Sequence, residues 1–232
     1  MSIQDRRRIL GPVEAKPLVF ATTKGPSAPG TPSTSKLPEY TNPTIRTGLM
    51  KNCNGSCSIE TDDISILSSV YGPKPTRSNQ FQSRCSLNIN IKSSVFSTTE
   101  LKELSNFLID ILESYVCLEL YPKAGIDIFV NFNIENVRDL SWYIPYIVMS
   151  ITMGLVDADV DVTDMVSGGY ADGYAICFGK NGDEIVGVWK DTGDVLDDDG
   201  FDKAVKACRE QYFEARSLMV NYLTGNFKKM KV

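Results

Sequence analysis

The stretch from about 140 to 157, LSWYIPYIVMSITMGLVD, constrains the fold more than any other part of the chain. Trp142, Ile147, Val148, Ile151 and Leu155 recur at helical spacing, and few charges interrupt them. A helix that is apolar on most sides has to be buried on most sides, so the rest of the domain must be packed around it. What surrounds it in the sequence alternates between the two periodicities of regular structure. Ile64, Ile66 and Val70 fall on one face of a strand ending at the turn signal Tyr71-Gly72-Pro73, and Leu87, Ile89 and Ile91 alternate with polar neighbours. Ser97 and Glu100 form a capping box, and Leu101, Leu104, Leu108, Ile111, Leu112 and Tyr115 then predict a helix from about 98 to 117. Tyr121 to Gly125 breaks it. Ile126, Ile128, Val130, Phe132 and Ile134 alternate next.

After the apolar helix, Tyr174 to Phe178 and Ile185 to Trp189 read as a hairpin turned by Asn181-Gly182. A last helix, about 199 to 223, carries Phe201, Val205, Cys208, Tyr212, Ala215 and Met219 on one stripe. Strands, helix, strand, helix, hairpin, helix is the order of a mixed α/β domain of two or three layers, with mixed sheets packed against helices. The chain divides into an N-terminal arm at 1–20, a flexible Pro/Ser/Thr-rich loop at 21–44, the main domain at 45–225 and a basic tail at 226–232.

Charge and composition narrow the chemistry. Twenty-four basic residues against 29 acidic ones leave a net charge of -5, so a basic stripe able to hold nucleic acid unaided is not expected. The chain contains no histidine, which removes the usual serine and cysteine triads and every histidine-based metal site. Of the six cysteines, only Cys53 and Cys57 are close together, and they read as small hydrophobes in a reducing compartment rather than as metal ligands. No signal peptide is expected, and no apolar run approaches the roughly 20 residues of a membrane span, which points to a soluble intracellular protein. Gly168 to Gly173 is glycine-rich but lacks the lysine of a P-loop, and reads as a turn before the hairpin. Asp191, Asp194, Asp197, Asp198 and Asp199 miss the spacing of a calcium loop and read as acidic residues leading into a helix. Arg6, Arg7 and Arg8 are candidates for RNA binding or for docking on an acidic neighbour.

Several strings, in this order, resemble the ribonuclease PH family. Asn54-Gly55-Ser56-Cys57-Ser58-Ile59-Glu60 followed by Ile64 to Val70 looks like that family's first hairpin. Tyr121 to Ile126 looks like its helix-to-strand junction, and Asp157-Ala158 like the end of its central helix. Gln4 to Pro12, Lys16-Pro17, Gly125 to Val130 and Asn181 to Asp191 carry a narrower similarity to the ring subunits of the eukaryotic RNA exosome. The resemblance implies a single ribonuclease-PH-like domain. It implies a place in a six-membered ring built from three heterodimers, and a location in nucleus, nucleolus and cytoplasm. Cap subunits with OB- or KH-type RNA-binding domains and separate catalytic ribonucleases are the implied partners, with RNA threaded through the complex.

Active members of that family use inorganic phosphate, gripped at the start of the central helix by a Gly-Gly-Thr-Arg-Thr type string. Counting back from Asp157, the Thr-Arg-Thr positions fall on Tyr143, Ile144 and Pro145 and the glycine positions on Ser141 and Trp142. None of these side chains can cradle phosphate. The family's paired aspartates fall on Val166 and Asp172, with Asp164 as a nearby substitute. The expectation is therefore a chain with no catalytic residues, metal or cofactor that supports 3'-to-5' RNA processing by assembly. The alternative is a phosphate-dependent 3'-to-5' exoribonuclease.

Overall fold

The computed structural model describes residues 43–75, 83–190 and 198–230, with side chains up to residue 225. The N-terminal arm and nearly all of the Pro/Ser/Thr-rich loop, Asp191, Asp194 and Asp197, and the side chains of Asp198, Asp199 and the basic tail at 226–232 lie outside the described residues. All that is described belongs to one compact unit, Leu37–Val232.

Eleven main elements follow one another along the described residues: β1 (Thr44–Thr47), β2 (Gly55–Glu60), β3 (Ile64–Pro75), β4 (Ser86–Ser93), α1 (Thr98–Glu113), β5 (Ala124–Ile134), α2 (Leu140–Asp157), β6 (Ser167–Ala171), β7 (Tyr174–Gly179), β8 (Glu184–Lys190) and α3 (Asp198–Met230). The first five strands form one sheet in the order β1-β2-β3-β5-β4, and the last three form a second in the order β6-β7-β8. Pairing is antiparallel throughout except for β4 with β5. That parallel pair needs a crossover, which α1 supplies.

The mixed α/β reading holds, with one layer more than the two or three expected. Helices α1 and α2 lie between the two sheets, and α3 covers the far face of the smaller one. This explains the composition of α2, whose residues from Leu140 to Leu155 are all buried. By length and composition α2 could cross a membrane, yet 89% of it is buried inside the fold, as befits a core helix. Strand β7, YAICFG, is buried along its whole length for the same reason. Ala175 and Cys177 join the core that includes α2, while Tyr174, Ile176 and Phe178 pack with Ala204, Cys208 and Tyr212 of α3.

Local expectations fare unevenly. The capping box is present, with Ser97 Oγ accepting from the Glu100 amide and the Glu100 carboxylate accepting from the Ser97 amide. Helix α1 stops at Glu113 rather than 117. Tyr115 lies past its end, buried, with its hydroxyl donating to Glu184 at 3.2 Å. Tyr71-Gly72-Pro73 does not turn the chain. β3 runs through it as an irregularity in the pairing with β5, and the Gly72 amide donates to Asn54 Oδ1 at 2.9 Å. Gly168 to Ala171 is likewise strand rather than turn; only Asp172 and Gly173 make the bend. The final helix continues to Met230.

Three long-range contacts fix the frame. The Asp157 carboxylate, at the end of α2, accepts from the Ser56 and Gly48 amides at 2.9 and 3.2 Å. The Gln211 side chain of α3 accepts from the Tyr170 amide and donates to the Tyr170 carbonyl at 2.8 and 3.1 Å, standing in for a neighbouring strand beside β6. The Tyr222 hydroxyl of α3 accepts from the Thr47 amide of β1 at 2.9 Å.

Candidate functional site

The start of α2 is where a helix N-terminus would meet an anion, because its first amides point outward with the positive end of the dipole. Here that end is packed with aromatic side chains. Tyr143 is fully buried, its ring against Trp142, Phe132 and Phe96 at centroid distances of 5.1, 6.2 and 5.9 Å. Its hydroxyl donates to the Asn136 carbonyl at 2.8 Å and accepts from the Arg138 amide at 2.9 Å, so it clamps the approach to the helix. Burial lifts the Tyr143 phenol above its usual pKa, against the opposing pull of the Arg138 amide and charge. Ser141, Ile144 and Pro145 are also buried, and Pro145 stands inside the helix, where it removes one amide from the ladder.

One cation does sit at this end, and the sequence reading missed it. Arg138 lies two residues before α2, paired to Asp63 at 2.9 Å with its guanidinium 4.4 Å from the centre of the Trp142 ring. Asn136 also donates to Asp63. Asp139, the residue preceding the first turn, is exposed and caps nothing with its side chain. With Asp63 and Asp139 beside a single arginine, this end carries more negative than positive charge among the described residues. The run Asn136 to Asp139 before an apolar helix was the available signal for Arg138.

The second set of candidates is not gathered into a site. Val166 is buried and its carbonyl accepts from Thr152 of α2 at 2.9 Å. Asp172 is exposed at the β6–β7 bend, with a positive φ of 50°. Asp164 is committed elsewhere: it accepts from Arg216 of α3 at 2.7 Å, from the Met165 amide at 2.8 Å and from the Asn181 amide at 3.0 Å. Burial alone would raise its pKa, but these donors outweigh it and hold the carboxyl below the usual range. Asp164 ties the approach to β6, the β7–β8 turn and α3 together.

The remaining motif residues have packing roles. A side chain at Gly55 would place its Cβ 2.3 Å from the Ala158 amide nitrogen, so β2 crosses the end of α2 at a distance only glycine permits. At Gly169 it would stand 2.5 Å from the Cys208 carbonyl oxygen, which sets the approach of α3 to β6. Cys57 is fully buried, and burial pushes its thiol up to about 12, so it is no nucleophile at neutral pH. Among the described residues no group of three or more carboxylates and thiols is placed to hold a metal ion. Arg6, Arg7 and Arg8 lie outside the described residues.

Comparison with known proteins gives this arrangement a family. The model for the 3' exoribonuclease family, domain 1 (RNase PH) matches residues 39–161, which take in every element from β1 to α2. The exosome complex component mtr3 of Schizosaccharomyces pombe is 27% identical over 191 residues, covering 78% of this chain and 70% of that protein. The exosome complex component Rrp41 of Pyrococcus horikoshii is 29% identical over 134 residues, covering 53% of this chain and 52% of that protein. The chain thus spans about half the length of that Rrp41. In fold it is similar to rice Rrp46, with a TM-score of 0.62 at 16% identity over 78% of this chain and 92% of the other. It is also similar to a chain of an archaeal exosome core, with a TM-score of 0.61 at 14% identity over 76% and 85%. With more than half of its length matched by that model and the same fold in these neighbours, the chain belongs to the 3' exoribonuclease (RNase PH) family.

Proposed function

We propose that the chain is a non-catalytic subunit of an exosome core ring, which supports 3'-to-5' RNA processing and degradation by completing the ring rather than by cutting RNA. The observation that carries the proposal is the start of α2. Tyr143, Ile144 and Pro145 fill it with core, and its one arginine is held by Asp63 and stacked on Trp142. Phosphorolysis needs an anion held in reach of the scissile bond. A site that offers Asp63 and Asp139 in place of hydroxyl donors holds phosphate poorly. Asp164, engaged with Arg216, and Asp172, exposed at a bend, do not make up the loss. The similarity to mtr3, an exosome component in fission yeast, supports the ring assignment.

The partners proposed are other ribonuclease-PH-like ring subunits, cap subunits with OB- or KH-type domains, the catalytic exosome ribonucleases and the RNA threaded through them. The proposed location is the nucleus and nucleolus as well as the cytoplasm. Arg6, Arg7 and Arg8 are proposed to dock on one of these partners or on RNA. In this reading residues 1–20 form an arm, 21–44 a loop that ends where β1 begins, 45–225 the domain and 226–232 a basic tail into which α3 continues as far as Met230.

The test is a phosphorolysis assay on single-stranded RNA, run on the chain alone and on a ring reconstituted with Rrp41-type subunits. The chain alone is expected to release no nucleoside diphosphate, and to be required for a stable ring. Phosphate-dependent release that disappears in Asp172→Ala or Arg138→Gln would establish the alternative, a phosphorolytic exoribonuclease.

A further inference from the structure

Among the described residues the five-stranded sheet has helices on one face only. No described element covers its other face, which from the strand register carries asparagine, serine, Leu67 and Lys92 around one exposed aromatic residue. That residue is Phe129 of β5, 38% exposed, with Ser69 opposite it on β3 and Asn90 beside it on β4. Tyr71 meets Phe129 edge to face, with centroids 5.6 Å apart and planes at 86°. One register step away Asn131 pairs with Lys92. With Lys74 and Met50 these residues line a groove of about 380 Å³.

Two features separate this groove from an ordinary solvated sheet face. The first is charge. In a chain of net charge -5, its lining among the described residues holds two lysines and no carboxylate, and Lys92 is the lysine that brings positive charge to it. Asp127, on the same face of β5, is paired with Lys74 and accepts from the Asn88 side chain, so that lysine and that carboxylate offset each other. The second is the aromatic placement. Phe129 packs against Tyr71 on this face, yet 38% of it stays in water on the side of the sheet away from the core, which leaves part of an aromatic ring open to a partner.

We propose that this face binds single-stranded RNA, with a base stacked on Phe129 and a flanking phosphate drawn to Lys92. A flat π-face suits any base, and a cation beside it suits the backbone; together they are the two components of sequence-tolerant single-strand binding. The Asn90 and Asn131 amides each present a donor and an acceptor, which match base edges left unpaired in a single strand. An acidic peptide would satisfy Lys92 and leave the ring without a partner. The choice of RNA as the nucleic acid rests on the proposed place in an RNA-degrading ring. The geometry itself asks for a stacked base beside a phosphate.

The experiment is fluorescence anisotropy of a labelled oligouridylate against the full chain, at low and at physiological salt, alongside co-assembly with Rrp41-type ring subunits. Phe129→Ala is expected to weaken RNA binding about tenfold, within the range for losing one stacked base, and Phe129→Trp to preserve it. Lys92→Gln is expected to lower the slope of log affinity against log salt by about 0.7, the value for one phosphate contact on a single strand. Phe129 is exposed, so these variants should keep the wild-type circular dichroism. No binding by the wild type, or equal binding by Phe129→Ala, overturns the proposal. So does loss of ring entry by Phe129→Ala with RNA binding intact, which would make the face a protein interface. A chain that binds RNA through Phe129 but never enters the ring would sink the ring assignment and leave this site standing.

Discussion

Asp164 and Asp157 are carboxylates of the kind that a search for catalytic acids picks out, and each is spent on holding the chain together. Asp157 takes two backbone amides from the segment around β2, and Asp164 takes two amides and a guanidinium. Asp164 and Arg216 are only 17% and 25% exposed, so their attraction is less screened than that of a surface pair. Asp164→Asn keeps the shape and removes the charge, and is expected to cost about 1–3 kcal/mol at neutral pH. The sign of the pH effect follows from the direction of the shift. A carboxyl whose pKa is lowered by folding stabilises the fold at any pH above its unfolded value near 3.8, and that contribution is lost as pH falls through the lower, folded value. Urea denaturation should therefore show the wild type losing part of its advantage over Asp164→Asn as the pH drops below about 4. A gap that stayed constant through that range would mean the carboxylate is not what Arg216 holds.

At the scale of elements, the second sheet shows how a fold of this kind closes an edge. β6 has a strand on one side only, and an open edge invites pairing with another chain. Gln211 blocks it at Tyr170 by presenting one acceptor and one donor in the spacing of a strand backbone. Gln211→Ala should cost about 1–3 kcal/mol, and hydrogen exchange at the Tyr170 amide should accelerate well beyond that of its neighbours in β7. This strand was also the element least legible in the sequence. Its residues, SGGYA, show no alternation, because Gly168 and Gly169 must admit Ile176 and the Cys208 backbone at distances a Cβ would violate. By contrast α2, β4 and β5 could be read to within a residue or two, since one-sided or all-round burial writes itself into hydrophobic period. Tyr71-Gly72-Pro73 misled because its turn chemistry is local, while β5 holds β3 extended on both sides of it. The candidate site divides in the same way. The apolar filling at 141–145 could be counted from Asp157, but Arg138 and its partner Asp63, 75 positions apart, meet only in three dimensions.

The whole molecule is organised around one helix shared by two sheets. Since α2 supplies core to both, neither sheet can open without stripping cover from the other, and the fold should lose its structure as a unit. Its thiols can report this. Cys57 lies in β2 of the first sheet, Cys177 in β7 of the second and Cys208 on α3 against that second sheet, and burial pushes all three up to about 12. Cys53 and Cys117 are only half-buried, whereas Cys57, Cys85, Cys177 and Cys208 are buried. A disulfide reagent is expected to label two thiols quickly and the other four together, at a rate that rises with urea in step with the loss of helical signal. Labelling of Cys177 and Cys208 well ahead of Cys57 would show that the second sheet opens by itself.

The clasp between Thr47 and Tyr222 also sets a schedule. The amide of β1 finds its hydroxyl 175 positions later, and a ribosome adding residues at about 5–20 per second takes roughly ten to thirty-five seconds to supply it. During that interval the early strands exist without the end of the last helix, and for much of it without α2, their main apolar cover. A nascent chain in that condition depends on how long it can be kept from other sticky surfaces. A stop codon anywhere before Tyr222 would leave that wait without an end.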